Sequence, residues 1–199
     1  MSPTLVIGQG NEVCDAALKV IGATKKEDFW MGRWRERFGS IVWSDENDET
    51  VTAEGQYAVH FKYTTIDVNN DGQQDVVVIY TGLMSSIDWD WLYLFDPAQF
   101  RASQKEGTTV GLLPKAPILN PGNVVQFSNG QYGGPVELHL WHYKGATFIL
   151  GKELFFSKDE PKMPDSFFVV RLGPKSTKWE KGDKVQRLVP ELTCRMVAK

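Results

Sequence analysis

The chain has 199 residues, of which 42% are hydrophobic and 24% charged, and its formal net charge is −3. These values exclude a wholly disordered chain, and no global positive charge favours nucleic acid as a partner. The sequence contains no run of about 18 apolar residues, so no membrane span is predicted. A chain of this length can bury a full core, and we predict one domain over 1–199. It would have a helical N-terminal part at 11–38 and a mainly β part at 40–199.

Two helices are predicted in the N-terminal part. The first covers NEVCDAALKVIGA, where Asn11 is a suitable N-cap and apolar residues recur on one helical face. The second covers KKEDFWMGRWRERFG and ends at Gly39. Its aromatic stripe is expected to lie in the core and comprises Phe29, Trp30, Trp34 and Phe38.

From residue 40 onward the pattern changes to the alternation that is typical of strands. Strands are predicted at SIVWS, GQYAVHFKYTTID, DVVVIYTG, DWDWLYLFD, VVQF, PVELHLWHYKGATFILG and DSFFVVRLG. The sixth of these segments would be a hairpin that turns near Lys144 and Gly145. The acidic run at 44–54 and the Pro- and Gly-rich segment at 97–122 are interpreted as loops. The predicted fold class is α+β, with two N-terminal helices packed on a mainly antiparallel β-sheet or small barrel, and one calcium loop between two strands.

The predicted metal site lies in TIDVNNDGQQDVVVIY, at 65–80. Oxygen-bearing side chains recur here at alternate positions, and Gly72 follows the third of them and permits a sharp turn. Calcium takes about six to eight oxygen ligands, and carboxylates this close together repel one another unless a cation lies between them. An acidic turn without metal is the alternative interpretation. The predicted ligands are Asp67, Asn69, Asp71, the main-chain carbonyl of Gln73, and Asp75.

The flanks of this loop are strand-like, and Val78 stands where a helical EF-hand has a bidentate Glu. The spacing D-x-N-x-D-G-x-x-D resembles the single calcium loop of FG-GAP and VCBS-type repeats, as in integrin α-propellers. In that family the loop joins two β-strands and binds calcium without the Glu. The resemblance covers about 63–80 and occurs in a single copy, so it implies a calcium loop and not a propeller.

Two cysteines, Cys14 and Cys194, lie near the two ends of the chain. An even number of cysteines predicts one disulfide if the compartment is oxidising, and two buried thiols are the alternative. Weak calcium loops also suit compartments in which the free ion is abundant. The first residues lack the basic and long apolar segments of a signal peptide. We expect a periplasmic or secreted protein in preference to a cytoplasmic one.

Other candidate constellations are weaker. His139 and His142 have a metal-like spacing only on a helix, whereas the alternation around them favours a strand. Asp88 and Asp90 share one face of a predicted strand, with tryptophans on the other face, and could act as acid and base on a glycan. In the alternative interpretation, the aromatic residues lie in the core and the aspartates lie on the solvent-exposed face of the strand. The segment at 171–199 carries eight basic and three acidic residues, which indicates either solvated loops or a face for an acidic partner.

The sequence contains no G-x-S-x-G, phosphate-binding Gly-rich loop or C-x-x-C motif, so a non-enzymatic function is favoured. Our leading hypothesis is a calcium-stabilised extracytoplasmic binding protein whose partner is another protein. An inhibitor or immunity-type protein against a secreted toxin would be one such form. The alternative is an envelope glycan-directed hydrolase that uses Asp88 and Asp90. The expected binding surfaces are the metal loop and the segment at 97–122, with Trp89 or Trp91 as an anchor.

Overall fold

A computed structural model of the chain describes residues 3–25, 27–28, 32–39, 41–48, 59–84, 87–95, 97–106, 133–155, 166–173, 176–180, 183–187 and 190–198. Within these residues the strands are β1 (Pro3–Ile7), β2 (Ser44–Asp48), β3 (Val59–Ile66), β4 (Asp75–Met84), β5 (Ile87–Phe95), β6 (Gly133–Tyr143), β7 (Ala146–Phe155), β8 (Ser166–Leu172), β9 (Ser176–Glu180), β10 (Asp183–Arg187) and β11 (Pro190–Ala198). The helices are α1 (Glu12–Gly22), a 3-10 helix (Arg33–Phe38) and α2 (Pro97–Glu106).

The described strands form three antiparallel sheets. The five-stranded sheet has the order β1-β11-β8-β7-β6, and the four-stranded sheet has the order β2-β3-β4-β5. Among the described strands, β9 and β10 pair only with each other. Strands β5 and β6 are the last strands of the two larger sheets, and their backbones come close together. The two larger sheets therefore meet along one pair of neighbouring edges.

The two larger sheets share a core, because apolar side chains alternate between the faces of their strands. Along β8, Phe167 and Val169 face α1 and the 3-10 helix, whereas Phe168 and Val170 face the four-stranded sheet. Along β4, Val77 and Ile79 lie in this inter-sheet core. Val76 and Val78, which alternate with them, face away from this core and pack against Phe95 and against Phe100 of α2. The molecule thus has helical segments outside two packed sheets.

The first predicted helix is confirmed. α1 begins after Asn11, whose side-chain oxygen accepts a hydrogen bond from the Val13 N–H at 3.0 Å. Its buried face packs against the five-stranded sheet through Cys14, Ala17 and Ile21. The helix follows β1, the first strand in the order of this sheet, and packs on the face that also carries Phe167 and Val169.

The predicted α+β class, with two N-terminal helices packed on a sheet, is wrong, because the chain is mostly β. The second segment is not one continuous α-helix, because Glu27 and Asp28 are α-helical whereas Arg33–Phe38 forms a 3-10 helix. Gly32 adopts the left-handed conformation with φ 68° just before it, which interrupts a right-handed helix. Trp34 and Phe38 are buried, as their spacing predicted, whereas Phe29 and Trp30 lie outside the described residues.

The loop and strand predictions have mixed outcomes. The first ten residues of the expected connection at 97–122 form α2, held by the buried ring of Phe100. β2 lies inside the acidic run that was interpreted as a loop, and it overlaps the predicted strand SIVWS only at Ser44. The predicted strand VVQF lies outside the described residues. The predicted hairpin is confirmed, with positive φ at both Lys144 and Gly145, as a tight two-residue turn requires.

The predicted disulfide is also confirmed. Cys14 on α1 is bonded to Cys194 on β11, and both residues are fully buried. The bond joins positions separated by 180 residues and therefore ties the first helix to the last strand. A disulfide is a feature of proteins in oxidising compartments, and it favours a location outside the cytoplasm.

Candidate functional site

The predicted metal loop connects two adjacent antiparallel strands. β3 ends at Ile66 and β4 begins at Asp75, and these two residues are paired in register. Val68 is fully buried in the inter-sheet core and anchors the first half of the loop. The loop is therefore short, and the sheet fixes both of its ends.

Hydrogen bonds from its own backbone fix the shape of the loop. The two carboxylate oxygens of Asp67 accept hydrogen bonds from the N–H groups of Asp71 and Gly72 at 3.0 and 2.8 Å. Asn69 Oδ1 also accepts from the Asp71 N–H, at 3.1 Å, and Asp71 Oδ1 accepts from the Gln73 N–H at 2.9 Å. These are Asx-type turns in series, and Gly72 with φ 86° makes the tight bend that they need.

The predicted ligands are all in this loop, but they are not equally accessible. Asp71 and Gln73 are exposed, Asp67 and Asp75 are half-buried, and Asn69 is only 7% exposed. Asp75 Oδ2 accepts a hydrogen bond from the Val68 N–H at 3.2 Å, and Asn69 Nδ2 donates to Asp71 Oδ2 at 3.0 Å. Across the described ranges, no three His, Cys, Asp or Glu side chains are grouped as a metal site needs. The acidic side chains of the loop thus bond to backbone N–H groups and do not converge.

Asn70 joins the loop to the other sheet. It has φ 60°, and its side-chain amide bonds to both backbone groups of Thr147 on β7. Asn70 Oδ1 accepts from the Thr147 N–H at 2.6 Å, and Asn70 Nδ2 donates to the Thr147 carbonyl at 3.1 Å. The pairing of β7 with β8 begins at Ile149, so Thr147 lies beyond that ladder. The Asn70 side chain therefore continues the hydrogen bonding of β7 beyond its pairing with β8.

Asp90 makes a second contact between the sheets. Its carboxylate accepts hydrogen bonds from Thr81 Oγ1 at 2.6 Å and from the Leu138 N–H of β6 at 2.8 Å. Asp90 is 4% exposed, and burial raises its pKa, although Thr81, Arg35 and Leu138 oppose that rise. The residue thus bonds one edge strand to the other where no backbone ladder joins them.

Arg35 lies over this junction and bridges two acids. Its guanidinium is 3.6 Å from Asp90 Oδ2 and 3.9 Å from Glu137 Oε2. Glu137 also accepts hydrogen bonds from Trp34 Nε1 at 2.7 Å and from Lys152 Nζ at 3.4 Å. This arrangement holds the 3-10 helix against β6. The carboxylates of Asp90 and Glu137 both accept hydrogen bonds from other groups of the chain.

His139 lies beside this network, in the interior. Burial is the main cause that lowers the pKa of His139 to about 4, and the charges of Lys62 and Arg35 add to it. Within the described residues, its Nε2 is buried without a hydrogen-bond partner. His142 is exposed on the same strand, because residues three apart on a strand lie on opposite faces. The strand interpretation of the two histidines is therefore confirmed.

The geometry does not support the use of Asp90 on a glycan. A general acid must reach the glycosidic oxygen, whereas Asp90 is enclosed between the sheets and already accepts two hydrogen bonds. The side chain of Asp88 lies outside the described residues. The interpretation of Asp90 as part of a wet strand face is wrong, because it shares its face with the core residue Leu92.

Aromatic side chains lie on the opposite face of β4 and β5. The rings of Tyr80 and Trp91 are 5.4 Å apart, and both residues are half-buried, as is Tyr93. The side chain of Trp89 lies outside the described part of the chain. Trp91 thus has partial access to solvent, which an anchor for a partner would need.

The sequence pattern missed the polar contacts between the sheets. The alternation in PVELHLWHY contains a usable signal, since Glu137, His139 and Trp141 recur on the face that packs under the 3-10 helix. What the pattern lacks is the identity of the neighbouring strand. Asp90 and Leu138 are 48 residues apart, and no local spacing predicts their contact.

Comparison of the chain with protein-family models, curated proteins and solved structures finds no match. None of the helices in the described ranges has the length and apolarity that a membrane crossing needs.

Proposed function

We propose that this protein is a calcium-stabilised extracytoplasmic protein that binds another protein. The observation that carries the proposal is the loop between β3 and β4, where nine residues hold three carboxylates and the Asn69 carboxamide as predicted ligands on a backbone fixed at both ends. All of these donors offer oxygen, which is the ligand atom that calcium prefers.

The donor set fits a hard divalent cation, and the carboxylates have room to reach it. Asp71 is exposed and Asp67 and Asp75 are half-buried, so none of these three carboxylates is enclosed in the apolar core. Val68 and Asn69 are buried and keep the backbone of the loop in place. Calcium binding would require the carboxylates to converge on the ion, in exchange for hydrogen bonds to the backbone that contribute about 1 kcal/mol each. The predicted ligands stay Asp67, Asn69, Asp71, the Gln73 carbonyl and Asp75.

The extracytoplasmic location is supported by the disulfide between Cys14 and Cys194 and by the low affinity that such a loop is expected to have. Extracellular calcium modules have a Kd of about 10⁻⁴–10⁻³ M, which suits compartments rich in the free ion. As a protein-binding module, the protein would act for example as an inhibitor or immunity-type protein against a secreted toxin. The half-buried Trp91 and the exposed tip of the loop are its candidate contacts.

The test is a calorimetric titration of the purified protein with calcium. We expect one ion per chain for the wild type and no measurable binding for Asp71→Ala. The control is Asp28→Ala, which removes an acid outside the loop that pairs with Arg37 at 3.2 Å. This control is expected to bind calcium as the wild type does. The absence of heat from the wild type at millimolar calcium would refute the site.

A further inference from the structure

The contact between Asn70 and Thr147 has a feature that ordinary loop packing does not require. Both polar groups of one side chain bond to both backbone groups of one residue, at 2.6 and 3.1 Å. Such a contact fixes the side chain in two directions. Since Thr147 is 2% exposed, it has little access to water that could replace these bonds.

Asn70 is also placed between two predicted ligands, Asn69 and Asp71, although it is not a predicted ligand itself. Its backbone has φ 60°, a conformation that asparagine adopts more readily than most residues. The backbone N–H groups of Asp71 and Gly72 follow directly and bond to Asp67. A shift of Asn70 would therefore displace the turn that orients the carboxylates on both sides.

We propose that Asn70 is a positioning residue for the ion site and couples the occupancy of that site to the five-stranded sheet. The inference rests on the proposed calcium site. Asn70 contacts Thr147 and not the ion, so it acts through the ligands beside it. Calcium would order the loop and strengthen the Asn70–Thr147 contact, and an intact contact would hold the loop in the shape that calcium needs. The ion would thereby join the two sheets as well as the two strands that flank it.

Thermodynamic linkage makes this coupling measurable from both sides. If loss of the contact weakens calcium binding by some factor, calcium must strengthen the contact by the same factor. Residues that orient metal ligands without touching the metal typically account for about 10-fold to 100-fold in affinity. We expect a value in that range.

The first test compares the calcium affinity of Asn70→Gly with that of the wild type. Glycine adopts positive φ freely, so this variant removes the side-chain contact and keeps the backbone conformation accessible. We expect its Kd to rise by about 10-fold to 100-fold. The matched control is Thr24→Ala, which removes a buried side-chain hydrogen bond to the Val20 carbonyl in α1. It is expected to lower the melting temperature and leave the calcium Kd unchanged.

The second test uses the wild type alone and stands even if Asn70→Gly does not fold. Amide hydrogen exchange is followed by NMR with and without saturating calcium. We expect calcium to slow the exchange of the Thr147 N–H by about 10-fold or more. The control is the Val13 N–H, which bonds to the Asn11 side chain at the exposed start of α1 and should exchange by local opening at the same rate with and without calcium.

The outcomes separate the two proposals. The coupling is refuted, and the calcium site stands, if the wild type and Asn70→Gly bind calcium equally well. The same conclusion follows if the wild type binds calcium and the exchange rate of the Thr147 N–H does not change. If the wild type binds no calcium, both proposals fail together.

Discussion

His139 is a buried titratable residue whose environment makes the stability of the fold depend on pH. Its pKa is lowered from 6.5 to about 4, so the unfolded chain takes up a proton near pH 6.5 and the folded chain does not. The contribution of His139 to stability is therefore complete above pH 6.5 and is lost as the pH falls towards 4. Linkage gives a loss of about 2 kcal/mol between pH 7 and pH 5.

The prediction is checked by urea unfolding of the wild type and of His139→Gln at pH 7 and pH 5. The variant cannot titrate, so its free energy of unfolding should fall by about 2 kcal/mol less than that of the wild type over this interval. His142→Gln is the control, since His142 is exposed on the same strand, and it should retain the wild-type loss. Equal losses for the wild type and His139→Gln would contradict the assignment.

At the scale of single residues, local chemistry was readable from the sequence wherever the partner is also local. Asn11 caps the N–H of a residue two positions away, and Lys144 with Gly145 forms the hairpin turn. The burial of Asp90 was not readable in this way. Its hydrogen-bond partner Leu138 is far along the chain, and a carboxylate between apolar residues normally indicates the solvent face of a strand.

Among the elements, the disulfide has the largest expected effect on stability. It ties α1 to β11, and cross-links that close long loops constrain the unfolded chain most. The variant Cys14→Ala/Cys194→Ala is expected to lose about 2–5 kcal/mol in its free energy of unfolding, measured in urea. Reductant should lower the stability of the wild type similarly and leave that of the double variant unchanged. This expectation is wrong if the wild type has the same free energy of unfolding in urea with and without reductant.

The elements that were predicted correctly have strong and regular patterns. β3, β4 and β5 alternate or carry long apolar runs, and α1 has a cap and one apolar face. The 3-10 helix was misread, because Trp34 and Phe38 have helical spacing while Gly32 at φ 68° interrupts the helix. α2 was misread as a loop despite Pro97 at its first turn, since Phe100 is its one large apolar residue.

For the whole molecule, the pairing of distant segments decides the architecture. β1 pairs with β11, so the two ends of the chain complete one sheet, and the fold becomes mostly β. Nothing in the local pattern of PTLVI specifies this partner. The same holds for the two contacts that bond the sheets together, Asp90 with Leu138 and Asn70 with Thr147. The loop itself was located from its spacing, whereas its attachment to the second sheet became visible only in three dimensions.

Calcium binding by the loop between β3 and β4 would stabilise the folded chain as a whole. An ion that binds only the folded chain stabilises it by about 2.7 kcal/mol when its concentration is a hundred times the Kd. For a domain of this size, that corresponds to a rise of roughly 5–10 °C in melting temperature. Asp71→Ala removes a proposed ligand and should lose this response.

The most direct measurement is therefore the melting temperature of the wild type and of Asp71→Ala, each in saturating calcium and in excess chelator. We predict that calcium raises the melting temperature of the wild type by several degrees and leaves that of Asp71→Ala unchanged. Identical melting curves for the wild type in calcium and in chelator would contradict the account, and the loop would then be an acidic turn stabilised by its own backbone hydrogen bonds.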